Sequence, residues 1–169
     1  MIVALAEGPL NTRFGEFREI LFYDGQKESI ALLMGDVKEG EEILCRVHSS
    51  CIFGHVFNSI ECDCREQMEK SQRAIQEAGK GVVIWLDQEG KGNGHLALLH
   101  SQQFKRAGMK QSDAYVAAGF ERDARDYRVA AKILHYLGVK SVRLLTDNAG
   151  KADMLRKLGV EVAGMVSTA

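Results

Sequence analysis

Cys51, Cys62 and Cys64 are the residues of this chain best suited to chemistry, with ten residues and then one between them. On an extended segment, Cys62 and Cys64 would point both thiols to the same side. Cys51 would return from a separate loop to join them. Three thiolates with no obvious fourth protein ligand indicate Zn²⁺ with one open position, whereas structural zinc sites are normally closed by four ligands. Two plainer readings stand beside this one: buried free cysteines, or a structural site completed by His48 or His55.

Three other stretches carry polar chemistry. Gln88-Glu89-Gly90-Lys91-Gly92-Asn93-Gly94 is rich in glycine, which lets the backbone approach a ligand. There Glu89 is placed to accept hydrogen bonds from base N–H groups, and Lys91 to meet phosphate. An ordinary flexible strand-to-helix loop would read the same way. Asp123-Ala124-Arg125-Asp126-Tyr127 sits at an expected helix start, where Asp123 serves equally well as a cap and Arg125 as a surface partner of Asp126. Thr146 and Lys151 bracket a strand-to-helix junction. Helix N–H groups with a nearby lysine make a phosphate site; plain capping is the alternative. His95, His100 and His135 read as surface or packing residues, and Trp85 and Phe104 as core.

The elements that must position these residues follow from hydrophobic period. Residues 13–23 and 29–34 read as strands joined by a turn at Asp24-Gly25, and 42–48 as a strand delivering Arg46 and His48 just ahead of Cys51. A helix is expected over 65–78, stopped by Gly79. The continuous apolar run 81–86 predicts a strand covered on both faces, releasing the glycine-rich loop and then a helix through Arg106. A further helix follows Asp123, with Ile133, Leu134 and Leu137 as its apolar stripe and Gly138 as its end. Residues 142–146 read as a buried strand, Asp147-Asn148 as the cap of a helix from Lys151, and 160–166 as a short last strand. Alternating strands and helices predict one α/β domain over residues 1–169, a layered mixed sheet flanked by helices, with ligands outside the strand ends.

Composition sets the outer bounds. The chain has 169 residues, 46% hydrophobic and 27% charged, with a formal net charge of −1. No overall field draws it to nucleic acid or membrane, so an anionic substrate must be held by locally placed bases. No apolar run approaches the roughly 20 residues that span a bilayer. Four clustered cysteines suit a reduced, cytoplasmic protein with a metal site better than a disulfide scaffold.

Taken together, these segments resemble GTP cyclohydrolase II, a zinc enzyme of riboflavin synthesis, over nearly the whole chain. N-T-R-F-G-E-F (11–17) is similar to the family's P-T-x-x-G-x-F, and A-L-L-M-G-D (31–36) to A-L-x-x-G-D. Arg46-Val47-His48-Ser49-Ser50-Cys51 resembles R-V-H-S-E-C, followed at the family's distance by Cys62-Asp63-Cys64 and Gln67. Gln88-Glu89-Gly90-Lys91 resembles Q-E-G-R. Gly119-Phe120 with Asp123-x-Arg125-Asp126-Tyr127 resembles G-F-x-x-D-x-R-D-[FY], and Arg143-Leu144-Leu145-Thr146 with Asn148 and Lys151 resembles R-L-L-T-N-N-P-K-K.

The resemblance implies Zn²⁺ on Cys51, Cys62 and Cys64, with Asp123 as proton acceptor and Arg125 as nucleophile at the α-phosphorus. It implies nucleotide contacts from Arg46, Gln67, Glu89, Lys91, Thr146 and Lys151, Mg²⁺ on the triphosphate, and a homodimer. Departures gather at the base pocket, where Ser50, Gly90, Lys91, Gln102 and Gln111 are expected. Ser50 replaces glutamate, Lys91 arginine, and Asn93-Gly94-His95 the family's I-G-L. The family's tyrosine falls at Gln102, and its D-T-V-E-A-N becomes Lys110-Gln111-Ser112-Asp113-Ala114-Tyr115.

The implied activity is hydrolytic opening of a nucleoside triphosphate's base ring with pyrophosphate release, on GTP by default with loss of formate. The same chemistry on a pyrimidine such as UTP is the alternative, and a non-catalytic nucleotide- or zinc-binding protein the rival class. Zinc lowers the pKa of water, but three thiolates blunt that effect and leave a proton for Asp123 to take. Arginine is almost always protonated, so electrostatic stabilisation of the α-phosphate by Arg125 stands level with covalent attack. A mere binder needs neither Asp123 nor Arg125.

Overall fold

Alternating apolar residues in the first part of the chain build an antiparallel meander of β1 (Val3–Thr12), β2 (Gly15–Tyr23) and β3 (Glu28–Met34). These elements come from a computed structural model that describes residues 1–169. The remaining strands are β4 (Ile43–Ser49), β5 (Gly81–Leu86), β6 (Val142–Leu145) and β7 (Val162–Val166). All seven form one sheet in the order β1-β2-β3-β5-β4-β6-β7. Pairing is antiparallel from β1 through β3 to β5, and parallel from β5 through β4 and β6 to β7. The chain is the mixed α/β sheet that its alternation of strands and helices predicts.

The helices are α1 (Ile52–His55), α2 (Cys64–Ala78), α3 (His95–Arg106), α4 (Gln111–Ala117), α5 (Arg128–Tyr136) and α6 (Ala149–Lys157). Period-two projection splits β5 between two cores. Val82, Ile84 and Leu86 join a cluster with Ala130, Ile133 and Leu134 of α5 and Leu155 of α6. Val83 faces the other way, onto Phe17, Leu145 and Ile75 of α2. Each such side chain contributes about 1.5–3 kcal/mol by leaving water. A small third cluster, Ala97 and Leu98 with Tyr115, holds α3 against α4.

Several expectations need correction. β1 and α4 were not anticipated. Cys62 lies in an irregular segment after a turn and Cys64 opens α2, so the pair is not on an extended strand. The helix after Asp123 starts only at Arg128 with Tyr127 as its cap residue; before it, the Asp123 and Asp126 side chains close turns on the Arg125 and Arg128 amides. α6 begins at Ala149, two residues earlier than expected, capped by Asn148. Trp85 and Phe104 are half-buried rather than core.

β5, β4 and β6 are adjacent and parallel, so their carboxyl ends open on one edge of the sheet. The segments leaving them carry Cys51, the glycine-rich loop and Thr146. That is where an open α/β sheet binds its ligands.

Candidate active site

The three thiols converge although Cys62 and Cys64 are not extended. Their sulfurs lie within 4.8 Å of one another, and Cys51 Sγ is 3.6 Å from Cys62 Sγ. Zinc–thiolate bonds of about 2.3 Å in tetrahedral array require sulfurs about 3.8 Å apart, so the trio fits that ion. The packing around it is specific. A Cβ on Gly54 would stand 2.9 Å from Cys62 Sγ, and Arg65 pins α1 through the carbonyls of Gly54 and His55 at 3.0 and 2.5 Å. A hydrogen bond from Cys64 brings Cys51 down to about 6. Cys64 is pushed well up by the same contact and by burial, and Cys62 by burial. A divalent cation supplies the charge that lets all three ionise together. Cys45 behaves differently, as a core thiol that burial pushes up to about 12.

Neither candidate histidine closes the trio. His48 Nε2 lies 2.8 Å from His55 Nε2, while Arg46 Nε donates to His48 Nδ1 at 3.1 Å. The acceptor role of Nδ1 makes Nε2 the protonated nitrogen of His48. The pair is therefore committed to itself, and the candidate ligand set is the three thiols alone.

The thiols form one part of the wall of a cleft of about 740 Å³, and Thr146, Asn148 and Lys151 form another. Within it, Thr146 Oγ1 accepts from the Asn148 amide at 3.0 Å, and Asn148 Oδ1 caps the Lys151 amide at 3.3 Å. Lys151 is 7% exposed and donates from Nζ to the Val47 carbonyl at 2.9 Å. Burial, reinforced by Arg46 and Arg125, pushes its pKa down to about 7. Arg46 is held by the Leu145 carbonyl at 2.9 Å and Gln67 Oε1 at 2.6 Å. These cations are the locally placed bases that a net charge of −1 requires.

Ser50, Gly90, Lys91 and Gln111 line the same cleft. Ser50 Oγ accepts from the Gln88 amide at 3.0 Å, Lys91 Nζ donates to Ser112 Oγ at 2.7 Å, and Gln111 donates to Ser101 Oγ at 2.9 Å. Glu89 and Gln102 are not on the wall. Glu89 accepts from the Ile52 amide at 2.8 Å and faces His95 at 3.5 Å, so its carboxylate supports α1. Gln102, 5% exposed, turns back to the Leu98 carbonyl at 3.2 Å.

Arg125 reaches the cleft and Asp123 stands beside it. The guanidinium grips the carboxylate through Nε at 3.0 Å and Nη2 at 2.6 Å. Burial opposes ionisation of Asp123, yet those hydrogen bonds hold it below the usual carboxylate range. Asp123 caps no helix; its Oδ1 closes a turn on the Arg125 amide at 3.1 Å. Nor does Arg125 pair with Asp126, which binds Arg128 instead. Sequence reasoning gave no role to Tyr115, which lines the cleft from α4. The only signal for it was its place in a segment departing from the family pattern.

The family model for GTP cyclohydrolase II matches residues 4–167. The chain belongs to the GTP cyclohydrolase II family. It is 39% identical to the GTP cyclohydrolase-2 of Actinobacillus succinogenes over 98% of this chain and 77% of that protein. With the GTP cyclohydrolase-2 of Histophilus somni it shares 40% identity over 98% of this chain and 77% of that one. The riboflavin biosynthesis protein RibBA of Endomicrobium trichonymphae is 40% identical over 93% of this chain, which spans 40% of its length. Membership makes the chain a hydrolase acting on C–N bonds. No helix is long and apolar enough to cross a membrane.

Proposed function

We propose that this chain is a zinc-dependent cyclohydrolase that opens the base ring of a nucleoside triphosphate, GTP by default, and releases pyrophosphate. One observation carries the reading: a three-thiol metal site and a cationic, helix-capped phosphate site share a single cleft. When bound by Cys51, Cys62 and Cys64, zinc supplies a Lewis acid that makes water nucleophilic near neutral pH. Mg²⁺ travels on the triphosphate, as it usually does in nucleotide sites. The name of the RibBA relatives supports a role in riboflavin biosynthesis, and the chain is taken to work as a homodimer in the cytoplasm.

The chain's own groups divide the work. Lys151, Thr146 and the α6 amides take the phosphates. Arg125 serves twice. Its two-pronged donor edge, closed on Asp123 in the free protein, transfers to the α-phosphate, a better-charged partner of the same geometry. Asp123, released from that grip, recovers basicity and takes the proton of the attacking water. One water adds at the carbon between the imidazole nitrogens of guanine and opens the ring to a formamide, a second water cleaves that formamide to formate and the free amine, and a third takes the α-phosphoryl group as pyrophosphate leaves.

The test is to incubate the zinc-loaded protein with GTP and with UTP, following pyrophosphate, formate and the ultraviolet spectrum of the base. GTP should yield pyrophosphate, formate and a diaminopyrimidine. Asp123→Asn should stop ring opening and spare nucleotide binding, and Arg125→Lys should cut pyrophosphate release by about 10²-fold or more. Ring opening of UTP alone would transfer the same chemistry to a pyrimidine. No product from either nucleotide would leave a binding protein.

A further inference from the structure

Tyr115 is a cleft residue whose hydroxyl has no protein partner, alongside the unpaired side-chain amide nitrogen of Gln88. It is 1% exposed, with its ring packed against Ala97 and Leu98 of α3, yet it belongs to the cleft wall. Its hydroxyl lies beside Gly90, where a Cβ would stand 3.5 Å from that oxygen. Cys51, Cys64 and Arg125 line the same cleft, and together with Glu89 they are near enough to act on the hydroxyl electrostatically. No protein group bonds the hydroxyl, and it is not sealed in like the orphaned hydroxyl of Tyr127. Tyrosine hydroxyls in buried positions usually find a partner. One fixed by its ring and open only to a cleft is a donor kept for what the cleft binds.

We propose that the Tyr115 hydroxyl donates a hydrogen bond to a ring heteroatom or exocyclic oxygen of the base, turning the ring towards Cys51, Cys62 and Cys64. It is thus a specificity-determining residue of this cleft. The inference rests on the nucleotide reading above. Gln102 of α3 turns inward to the Leu98 carbonyl and lies off the cleft wall, so it does not compete for that place. Lys91, tied to Ser112 one turn from Tyr115 on α4, steadies that side of the pocket.

Tyr115→Phe deletes the hydroxyl and keeps the ring. The experiment is calorimetric titration of zinc-loaded wild type and variant with α,β-methylene GTP, α,β-methylene UTP and inorganic tripolyphosphate. The nucleotide that wild type prefers over tripolyphosphate should bind the variant roughly tenfold more weakly, the worth of one hydrogen bond. Tripolyphosphate affinity, zinc content and melting temperature should stay the same. Unchanged nucleotide affinity would overturn the proposal, as would an equal loss for nucleotide and tripolyphosphate. Wild type binding neither nucleotide better than tripolyphosphate would instead sink the nucleotide reading, visibly before any variant is made, and this inference with it.

Discussion

Lys151 shows how much one residue can carry. An ammonium that is 7% exposed and beside two arginines loses hydration and meets like charge, so its pKa falls to about 7. The sign of the stability effect follows. Between about 7 and the ordinary lysine value of about 10.4, the unfolded chain binds a proton that the folded one does not. Stability from this group therefore rises with pH across that window and is lost as pH falls towards 7. Urea midpoints of the wild type should climb from pH 7 to 9, and Lys151→Met should remove that climb while raising stability at pH 7. A phosphate bound beside the amine restores the charge, so tripolyphosphate binding at pH 8 should take up protons. Calorimetry in two buffers of different ionisation heat measures this; zero uptake would mean the amine does not meet phosphate. The sequence placed Lys151 at a helix start, but its burial arises from long-range packing against β4 and could not be read there. Tyr115 was hidden for the same reason, since only the α3–α4 contact brings it to the cleft wall.

Among the elements, the glycine-rich loop differs most from its expected use. Its glycines were read as room for a ligand. Gly90 does face the cleft, but Gly92 makes room for protein: with φ +83°, a Cβ there would collide with the carbonyl of Ala124. The two loops are laced together. The Ala124 amide donates to the Lys91 carbonyl at 2.8 Å, Asn93 donates to the Glu121 carbonyl at 2.8 Å, and the Asp126 amide donates to Gln88 Oε1 at 2.5 Å. The segment carrying Asp123 and Arg125 is thus moulded on the loop leaving β5 and has no helix of its own to hold it. Gly92→Ala should displace that segment and lower pyrophosphate release by about 10²-fold, the usual scale for misplaced groups. Zinc content should be unaffected, because the thiols hang from β4 and α2. Activity of Gly92→Ala within twofold of wild type would show the lacing to be incidental.

At the scale of the molecule, the strands with strong apolar patterns were legible and β1 was not. Its sequence, VALAEGPLNT, has mostly exposed side chains and includes Pro9; it pairs only with β2 at the sheet's edge, where proline and weak alternation are tolerated. The convergence of the three thiols, by contrast, could be read from cysteine spacing although the backbone expected for it was wrong: they meet with Cys62 in an irregular segment and Cys64 at a helix start. The same architecture predicts what chelation does. Neither large core contains Cys51, Cys62 or Cys64, and α2 is anchored independently through Ile75, which is fully buried. Zinc bound there would complete a site on a finished domain, unlike small metallo-domains that have no fold without it. Protein stripped of metal by a strong chelator should keep its far-ultraviolet circular dichroism and unfold in one cooperative step. Its melting temperature should drop by several degrees, at about 2–4 °C per kcal/mol of lost binding energy for a chain of this size. Ring opening should vanish and return on adding zinc. Loss of the cooperative transition in the stripped protein would show instead that the α1–α2 segment and its metal help to hold the sheet together.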